Sequence, residues 1–274
     1  MKKTNLIIFI VGLVLGILGM IGAFYYSVID NQYESTQQPI EQTFDDTQIK
    51  NIDISLKRAN LDIVSGDKLK LEGQSDSKAQ NVKATTKGDR LALQLKGSKK
   101  SKTEININPF YLNRSTASYT LTVPQSQLNQ LKINGKQATG EVRGISAEKV
   151  ILDIEQAGFE VEESDIETFD GHVRWGSLDV SDTTLKQVKT SVNKGELSLE
   201  DVPADIPMTL NNQFGSTDVM FAAPLKKAYI TTNNDSGEID IEDLTNYKAL
   251  QQNKSSNIEI HITNQYGTVT LMDK

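Results

Sequence analysis

The sequence predicts an all-β protein: a right-handed parallel β-solenoid with an N-terminal antiparallel capping lobe and one N-terminal transmembrane helix. Three observations predict this fold. Apolar and polar side chains alternate over short runs, as in VKTSVNKGELSLEDV at 188–202, and a period of two is typical of a half-buried strand. A glycine interrupts these runs. The interrupted pattern then returns about every nineteen residues, which indicates a repeat architecture.

The first element is the apolar stretch LIIFIVGLVLGILGMIGAFYY at 6–26, which has no charged residue in 21 positions. At ~1.5 Å per residue, a helix of that length spans roughly 30 Å of hydrocarbon and is predicted to cross a membrane. A cleaved signal peptide is the alternative, although its apolar region is usually shorter. Lys2 and Lys3 precede the helix. The positive-inside rule therefore places residues 1–5 in the cytoplasm and the C-terminal domain outside it.

The next two segments connect the helix to the repeats. Residues 27–47 are polar and predict a flexible tether. Residues 48–130 begin with one coil, IDISLKRANLDIV, and continue with strand-like runs such as KLKLEG and SYTLTVP. We expect these runs to form an antiparallel lobe, because an open solenoid end exposes unpaired strand edges that need a cap.

Residues 131–274 contain the solenoid repeats. Each unit has three inward positions, a glycine, and two further inward positions. Glycine suits a corner because it reaches positive φ without steric cost. Stacking units at about 4.8 Å makes a continuous core, and parallel crossovers are overwhelmingly right-handed. An antiparallel sandwich is the alternative, although it predicts hairpins rather than a constant period. The first apolar runs start at Leu131, Val150, Phe169, Val188, Ile206, Ala228 and Ile258, and the glycines are Gly140, Gly158, Gly176, Gly195, Gly215, Gly237 and Gly267.

Composition excludes several classes of function. The chain has no cysteine, so disulfides, thiolate metal sites and thiol catalysis are excluded. The net charge of −7 is uneven, because residues 1–140 carry 18 Lys+Arg and 12 Asp+Glu, and residues 141–274 carry 11 and 24. The acidic half repels phosphates, so we expect no nucleic-acid partner.

The chain resembles a bacterial β-strand-repeat domain family of unknown function that bears the name "putative adhesin", and it is similar to the LiaG-type membrane-anchored proteins of the cell-envelope stress system. The resemblance depends on SYTLTVPQSQLNQLKING at 118–135 and on serial glycine steps such as SGEIDIEDL at 236–244. It covers roughly residues 50–274 and the anchor. The family implies a surface or envelope role and supplies no catalytic residue.

Two groups of residues are candidates for ligand contact. Lys96, Lys99, Lys100 and Lys102 form a basic cluster that can meet anionic lipid headgroups or wall polymers. Trp175, Phe214 and Tyr266 each precede a corner glycine. Aromatic rings at such intervals can stack on sugar rings. However, the alternation predicts that they point inward and pack inside the corner.

Catalytic and metal sites are not predicted. The acidic pairs Glu162/Glu163, Glu200/Asp201 and Glu242/Asp243 recur after the glycines. Paired carboxylates can hydrolyse glycosides, but such pairs are also typical of solvated turns. The stretch NNDSGEIDIED at 233–243 does not keep the spacing of a calcium loop. His172 and His261 are interpreted as isolated surface residues. We expect no catalytic residue, no metal ligand and no cofactor.

These observations predict a membrane-anchored, extracytoplasmic and non-enzymatic protein with a surface-binding or envelope-stress role. Its expected partners are the cell membrane, through residues 6–26, and wall polymers or an envelope-stress membrane protein. A polysaccharide-active β-helix enzyme and a polymer-forming scaffold are the alternative functions.

Overall fold

A computed structural model describes residues 38–44, 48–75, 81–97, 117–241 and 244–274. All but the first of these residues belong to one unit, Pro39–Lys274. One short helix, α1 (Tyr247–Gln252), accompanies the strands in the described ranges. The strands are β1 (Gln38–Thr43), β2 (Asn51–Lys57), β3 (Asn60–Gly66), β4 (Lys70–Ser75), β5 (Val82–Lys87), β6 (Arg90–Lys96), β7 (Ser118–Pro124), β8 (Leu128–Lys136), β9 (Thr139–Arg143), β10 (Ser146–Ile154), β11 (Ala157–Glu162), β12 (Asp165–Ser181), β13 (Thr184–Val202), β14 (Met208–Phe221), β15 (Tyr229–Asn234), β16 (Glu238–Asp240) and β17 (Glu259–Asp273).

Successive coils stack in parallel, as the alternation predicts. Val150 lies beside Leu131 on one side and Phe169 on the other, and Phe169 lies beside Val188. All four side chains are fully buried. The nineteen-residue period therefore places like positions above one another and builds one apolar interior.

The later starting points of the repeat were predicted two residues too early. Val188 pairs with Met208 rather than with Ile206, and Met208 pairs with Ile260. Ile260 in turn pairs with Ile230. The reason is that residues 203–207 lie outside any strand and lengthen the preceding corner.

The spatial order of the last coils differs from their order in the chain. β17 pairs with β14 on one side and with β15 and β16 on the other. β15 and β16 therefore lie two coil steps from β14. The chain then returns through α1, and β17 lies between β14 and the pair β15/β16. The stacking of units that the sequence predicts is therefore confirmed from β8 to β14, but at this point the units do not stack in chain order.

The N-terminal end contains the same kind of exchange. β2 lies between β6 and β8, and β3 lies between β7 and β9, all in parallel. Among the described strands, β4 pairs antiparallel with β7 and β5 pairs antiparallel with β6. The expected antiparallel lobe within residues 48–130 is thus corrected to two added strands on a parallel coil.

Secondary elements cover both ends of the stack. β1 pairs with β4, and Ile40 of β1 is buried, so this part of the predicted tether at 27–47 is a strand. At the other end, α1 buries Leu250, and Asn253 donates its side-chain amide to the carbonyl oxygen of Lys227 at 2.7 Å. Such covers protect strand edges from further pairing.

No helix within the described ranges is both long and apolar enough to cross a membrane. The transmembrane helix predicted at 6–26 lies outside the described residues.

Candidate functional site

One corner of the solenoid contains a column of glycines. Gly176, Gly195, Gly215 and Gly267 are register partners in four neighbouring coils. Their φ angles lie between 127° and 150°, where residues with a side chain are strained. A Cβ added to Gly195 would lie 1.7 Å from the carbonyl oxygen of Gly176. The corner therefore depends on backbones that approach one another without side chains.

The residues just before these glycines form the candidate site. Trp175, Lys194, Phe214 and Tyr266 are register partners in the same four coils, and we call this column the corner ladder. Trp175 and Tyr266 are each 51% exposed and Phe214 is 40% exposed. These three are the exposed large hydrophobic residues of the described chain.

The inward orientation expected for these aromatic residues is wrong. Val173 and Leu178 both point inward although they are five positions apart, so the alternation changes phase between them. The positive φ of Gly176 causes this change. Trp175, which precedes it, consequently faces solvent.

The side chains of the corner ladder contact one another. The rings of Phe214 and Tyr266 stack with centroids 5.0 Å apart and an interplanar angle of 13°. The Nζ atom of Lys194 lies 4.8 Å from the Trp175 ring centroid and 5.7 Å from that of Phe214. Aromatic pairs and cation–π contacts of this kind each contribute about 0.5–1 kcal/mol. These contacts favour the observed arrangement of the four side chains.

A second group of side chains, the basic patch, extends the same corner toward the N-terminal end. Lys57 lies between Lys96 and Lys136 in register, and all three side chains are exposed. Glu155 follows in the next coil, where it binds Lys136 at 2.7 Å and Arg174 at 3.5 Å. The hydrogen bond from Lys136, together with the charges of Lys136, Arg174 and Lys57, lowers the pKa of Glu155. Three cations thus act on one carboxylate, and Lys96 and Arg174 complete the two ends of the basic patch.

The predicted lysine cluster contributes one residue to this patch. Lys96 belongs to it, whereas Lys99, Lys100 and Lys102 lie outside the described residues. Lys57 and Lys136 were missed, because their contact with the Lys96 strand follows from the position of β2 between β6 and β8.

Buried asparagines support the corner from inside. Asn212 donates its side-chain amide to Asn264 at 3.2 Å, and Asn264 donates to Asn234 at 3.1 Å. The same amides donate to the carbonyl oxygens of Gly215 and Gly267 at 2.9 Å. These bonds hold the glycine corners in place and so fix Phe214 and Tyr266. The recurring pattern of asparagine three residues before glycine, in NQFG and NQYG, was the sequence signal for these hydrogen-bonded asparagines, which we call the asparagine ladder.

The outer face that follows the corner is acidic. Asp62, Glu141, Glu160 and Asp179 are register partners in four neighbouring coils, and we call them the acidic column. Burial raises the pKa of Asp62. Burial, followed by the charge of Glu196, raises the pKa of Asp179. The corner therefore separates a strongly acidic face from the basic patch.

The remaining candidates have structural explanations. Glu163 and Asp201 adopt positive φ at a different corner, where Asp201 pairs with Lys274 and Glu162 pairs with Arg143. The pair Glu242/Asp243 lies outside the described residues.

The other predicted polar residues are separate surface features. His172 contacts Asp170 at 3.0 Å, and His261 contacts Glu259 at 2.9 Å. Asn234 of the NDSG stretch belongs to the asparagine ladder instead of a calcium loop. In the part of the chain that the structure describes, no group of three His, Asp or Glu side chains is arranged to hold a metal ion.

Comparison with known proteins identifies a family. The model of the Toastrack DUF4097 family matches residues 49–272. No curated protein matches the chain.

Several solved structures are similar to this chain. A "putative cell adhesion protein" from Clostridium sporogenes is 13% identical with a TM-score of 0.34, and the match covers 87% of this chain and 100% of that chain. A "putative adhesin" from Bacteroides fragilis is 14% identical with a TM-score of 0.35, over 86% and 97% of the two chains. A "putative adhesin" from Parabacteroides distasonis is 11% identical with a TM-score of 0.41, over 87% and 97%.

Proposed function

The chain belongs to the Toastrack DUF4097 family, and on that premise we propose that it is a non-enzymatic, extracytoplasmic binding module of the cell envelope. It is held at the membrane by residues 6–26 and binds carbohydrate polymers through the corner ladder. Binding of this kind suits adhesion between membrane and wall, and it suits envelope-stress sensing through a membrane partner.

The observation that carries the proposal is where the exposed aromatic residues lie. The exposed large hydrophobic side chains of the described chain all fall in one column, whereas its other large apolar side chains are buried or half-buried. An aligned row of exposed apolar groups marks an interaction surface. Aromatic rings offer rigid contact area to the C–H faces of sugars.

The dimensions of the ladder favour a linear ligand. Trp175 and Tyr266 are three coil steps apart, which at about 4.8 Å per step separates them by roughly 14 Å along the solenoid axis. Lys194 and Phe214 fill the positions between them. A chain of several sugar units can therefore lie along the corner and meet rings at both ends.

Two further features support the assignment. The stretch 6–26 has no charge, and Lys2 and Lys3 precede it, which by the positive-inside rule supports a solenoid outside the cytoplasm. Glu162 and Asp201, one member of each of two acidic pairs, are each in an ion pair, which gives them a structural explanation.

The test is co-sedimentation of the full-length chain, in mild non-ionic detergent, with a panel of insoluble neutral and acidic polysaccharides. We expect binding to at least one of them. The double variant Trp175→Ala/Tyr266→Ala should bind it at least about tenfold more weakly, which corresponds to about 1.4 kcal/mol.

The matched control is Trp175→Phe/Tyr266→Phe, which keeps both rings and should keep most of the affinity. Failure to bind any polysaccharide contradicts the proposal. Release of soluble sugar during the incubation favours the enzyme alternative instead.

A further inference from the structure

The corner ladder and the basic patch form one continuous edge. The edge crosses eight successive strands, because Arg174 of the patch and Trp175 of the ladder lie in the same one. In order, its residues are Lys96, Lys57, Lys136, Glu155, Arg174 with Trp175, Lys194, Phe214 and Tyr266. At about 4.8 Å per step the edge is roughly 34 Å long. A linear ligand that contacts the rings therefore meets the cations when it extends toward the N-terminal end.

The basic patch is not explained by the stability of the fold. Like charges directly opposite one another on neighbouring strands are destabilising, and Lys57 faces lysines on both sides. Within the described ranges, Glu155 is the carboxylate that pairs with Lys136 and Arg174, and Lys57 and Lys96 have no ion pair there. Lys57, Lys96 and Lys136 lie within residues 1–140, which carry 18 Lys+Arg and 12 Asp+Glu, so the patch concentrates part of the positive charge of this half at one edge.

The neighbouring face confines an anion to this edge. The acidic column begins on the other side of the corner, four residues after Trp175 at Asp179. Its carboxylates repel negative charge, whereas the patch attracts it. The position of the two groups defines a single line on which a polyanion is favoured.

We propose that the ligand of the corner is a linear anionic polysaccharide, whose sugar rings contact the corner ladder and whose negative groups contact the basic patch. This inference rests on the proposed function and adds the charge of the polymer and its direction along the solenoid. Affinity should decrease as salt concentration rises, because the lysine and arginine side chains displace counterions from the polyanion on binding.

The test compares polygalacturonate with its fully methyl-esterified form, which has the same backbone without charge. Binding to the full-length chain is measured at low and moderate salt. We expect polygalacturonate to bind roughly tenfold more tightly at low salt, with a steeper dependence on salt. Equal affinity for the two polymers overturns the inference and leaves the proposed function standing.

The variants Lys57→Gln/Lys96→Gln and Lys226→Gln/Lys227→Gln remove the same charge from different places. Lys226 and Lys227 are exposed lysines between β14 and β15. We expect the first pair to weaken polygalacturonate binding and flatten its salt dependence, and the second to leave both unchanged. Equal effects of the two pairs overturn the inference.

Two further probes distinguish other anions. Polyphosphate has charge without sugar rings, and phosphatidylglycerol vesicles present a lipid surface. Either probe overturns the inference if it binds as tightly as polygalacturonate and binds the Trp175→Ala/Tyr266→Ala variant equally well. Absence of binding to both polysaccharides, with no binding in the wider panel, contradicts the proposed function itself.

Discussion

Gly195 shows how a single residue determines the corner. Its φ of 144° is rarely adopted by residues that have a side chain, and an added Cβ would lie 1.7 Å from the Gly176 carbonyl oxygen. The obstacle is backbone on a neighbouring coil, which cannot rotate away as a side chain can.

The variant Gly195→Ala should therefore lower the free energy of unfolding by more than about 3 kcal/mol, measured by urea denaturation. The control is Gly88→Ala, where φ is 60° and no atom lies within 4 Å of an added Cβ. That variant should cost only about 1 kcal/mol. Equal costs at the two sites contradict the close packing of the corner.

Thr217 is a buried residue that lowers stability. It is 1% exposed, and its hydroxyl has no hydrogen-bond partner within the described part of the chain. We expect Thr217→Val, a change of similar volume, to raise the free energy of unfolding by about 1 kcal/mol, because it removes an unsatisfied polar group.

The buried Asn264 is the contrasting case. The hydrogen bonds of its side-chain amide to Asn212, Asn234 and Gly267 would all be lost in Asn264→Leu. We expect that variant to lower the free energy of unfolding by roughly 2 kcal/mol or more.

Urea denaturation measures both variants. If Thr217→Val lowers the free energy of unfolding, the Thr217 hydroxyl has a hydrogen-bond partner in solution, which contradicts the first prediction.

At the level of elements, the acidic column should make stability depend on pH. The pKa of Asp179 in the folded chain is raised above the ordinary value of 3.8, mainly by burial. Ionised Asp179 therefore destabilises the fold at neutral pH. This destabilisation is relieved as pH falls through the folded pKa toward 3.8, so the contribution to the free energy of unfolding rises as pH falls.

Asp179→Asn should accordingly stabilise the chain at pH 7 by roughly 0.5 kcal/mol, after allowance for the solvent that reaches this side chain. The gain should shrink near the ordinary value of 3.8. Urea denaturation at both pH values measures it. Asp153→Asn is the control, since its register partners are Asn134 and His172 rather than carboxylates. A gain that does not change with pH contradicts this explanation.

The strands themselves could be predicted from alternation, but their order in space could not. β14, β17 and the pair β15/β16 present the same pattern of inward residues, with asparagine at Asn212, Asn264 and Asn234 and a glycine three positions later. Coils with equal patterns make equal contacts in any order. The sequence therefore contains no signal that distinguishes β17 from β15 as the neighbour of β14.

The candidate site was only partly predictable for a related reason. Trp175, Phe214 and Tyr266 were identified as a set, because each precedes a glycine. Their exposure could not be predicted, since it depends on a backbone angle at the corner rather than on the alternation. Lys57 and Lys136 are 79 positions apart in the chain, and only the insertion of β2 beside β8 brings them together.

At the level of the whole molecule, the insertions at the two ends have a common result. β2, β3 and β17 are each paired on both sides. The strands at the ends of the stack contact other elements: β7 pairs with β4, β6 pairs with β5, and Asn253 at the end of α1 binds the segment before β15. The same arrangement aligns the basic patch with the corner ladder. The binding proposed at the corner therefore depends on the order of coils in space.

The most direct test of this order is disulfide cross-linking between coils, because the chain has no cysteine of its own. Thr263 is the register partner of Asn211 on one side and of Asn233 on the other. Neighbouring parallel strands lie about 4.8 Å apart, within the range that a disulfide bridges, whereas two steps exceed it. Under mild oxidation, mass spectrometry should find cross-links in Asn211→Cys/Thr263→Cys and in Asn233→Cys/Thr263→Cys, and none in Asn211→Cys/Asn233→Cys. A cross-link in the third variant together with none in the first would show that the coils follow chain order, and it would contradict the fold on which the corner site depends.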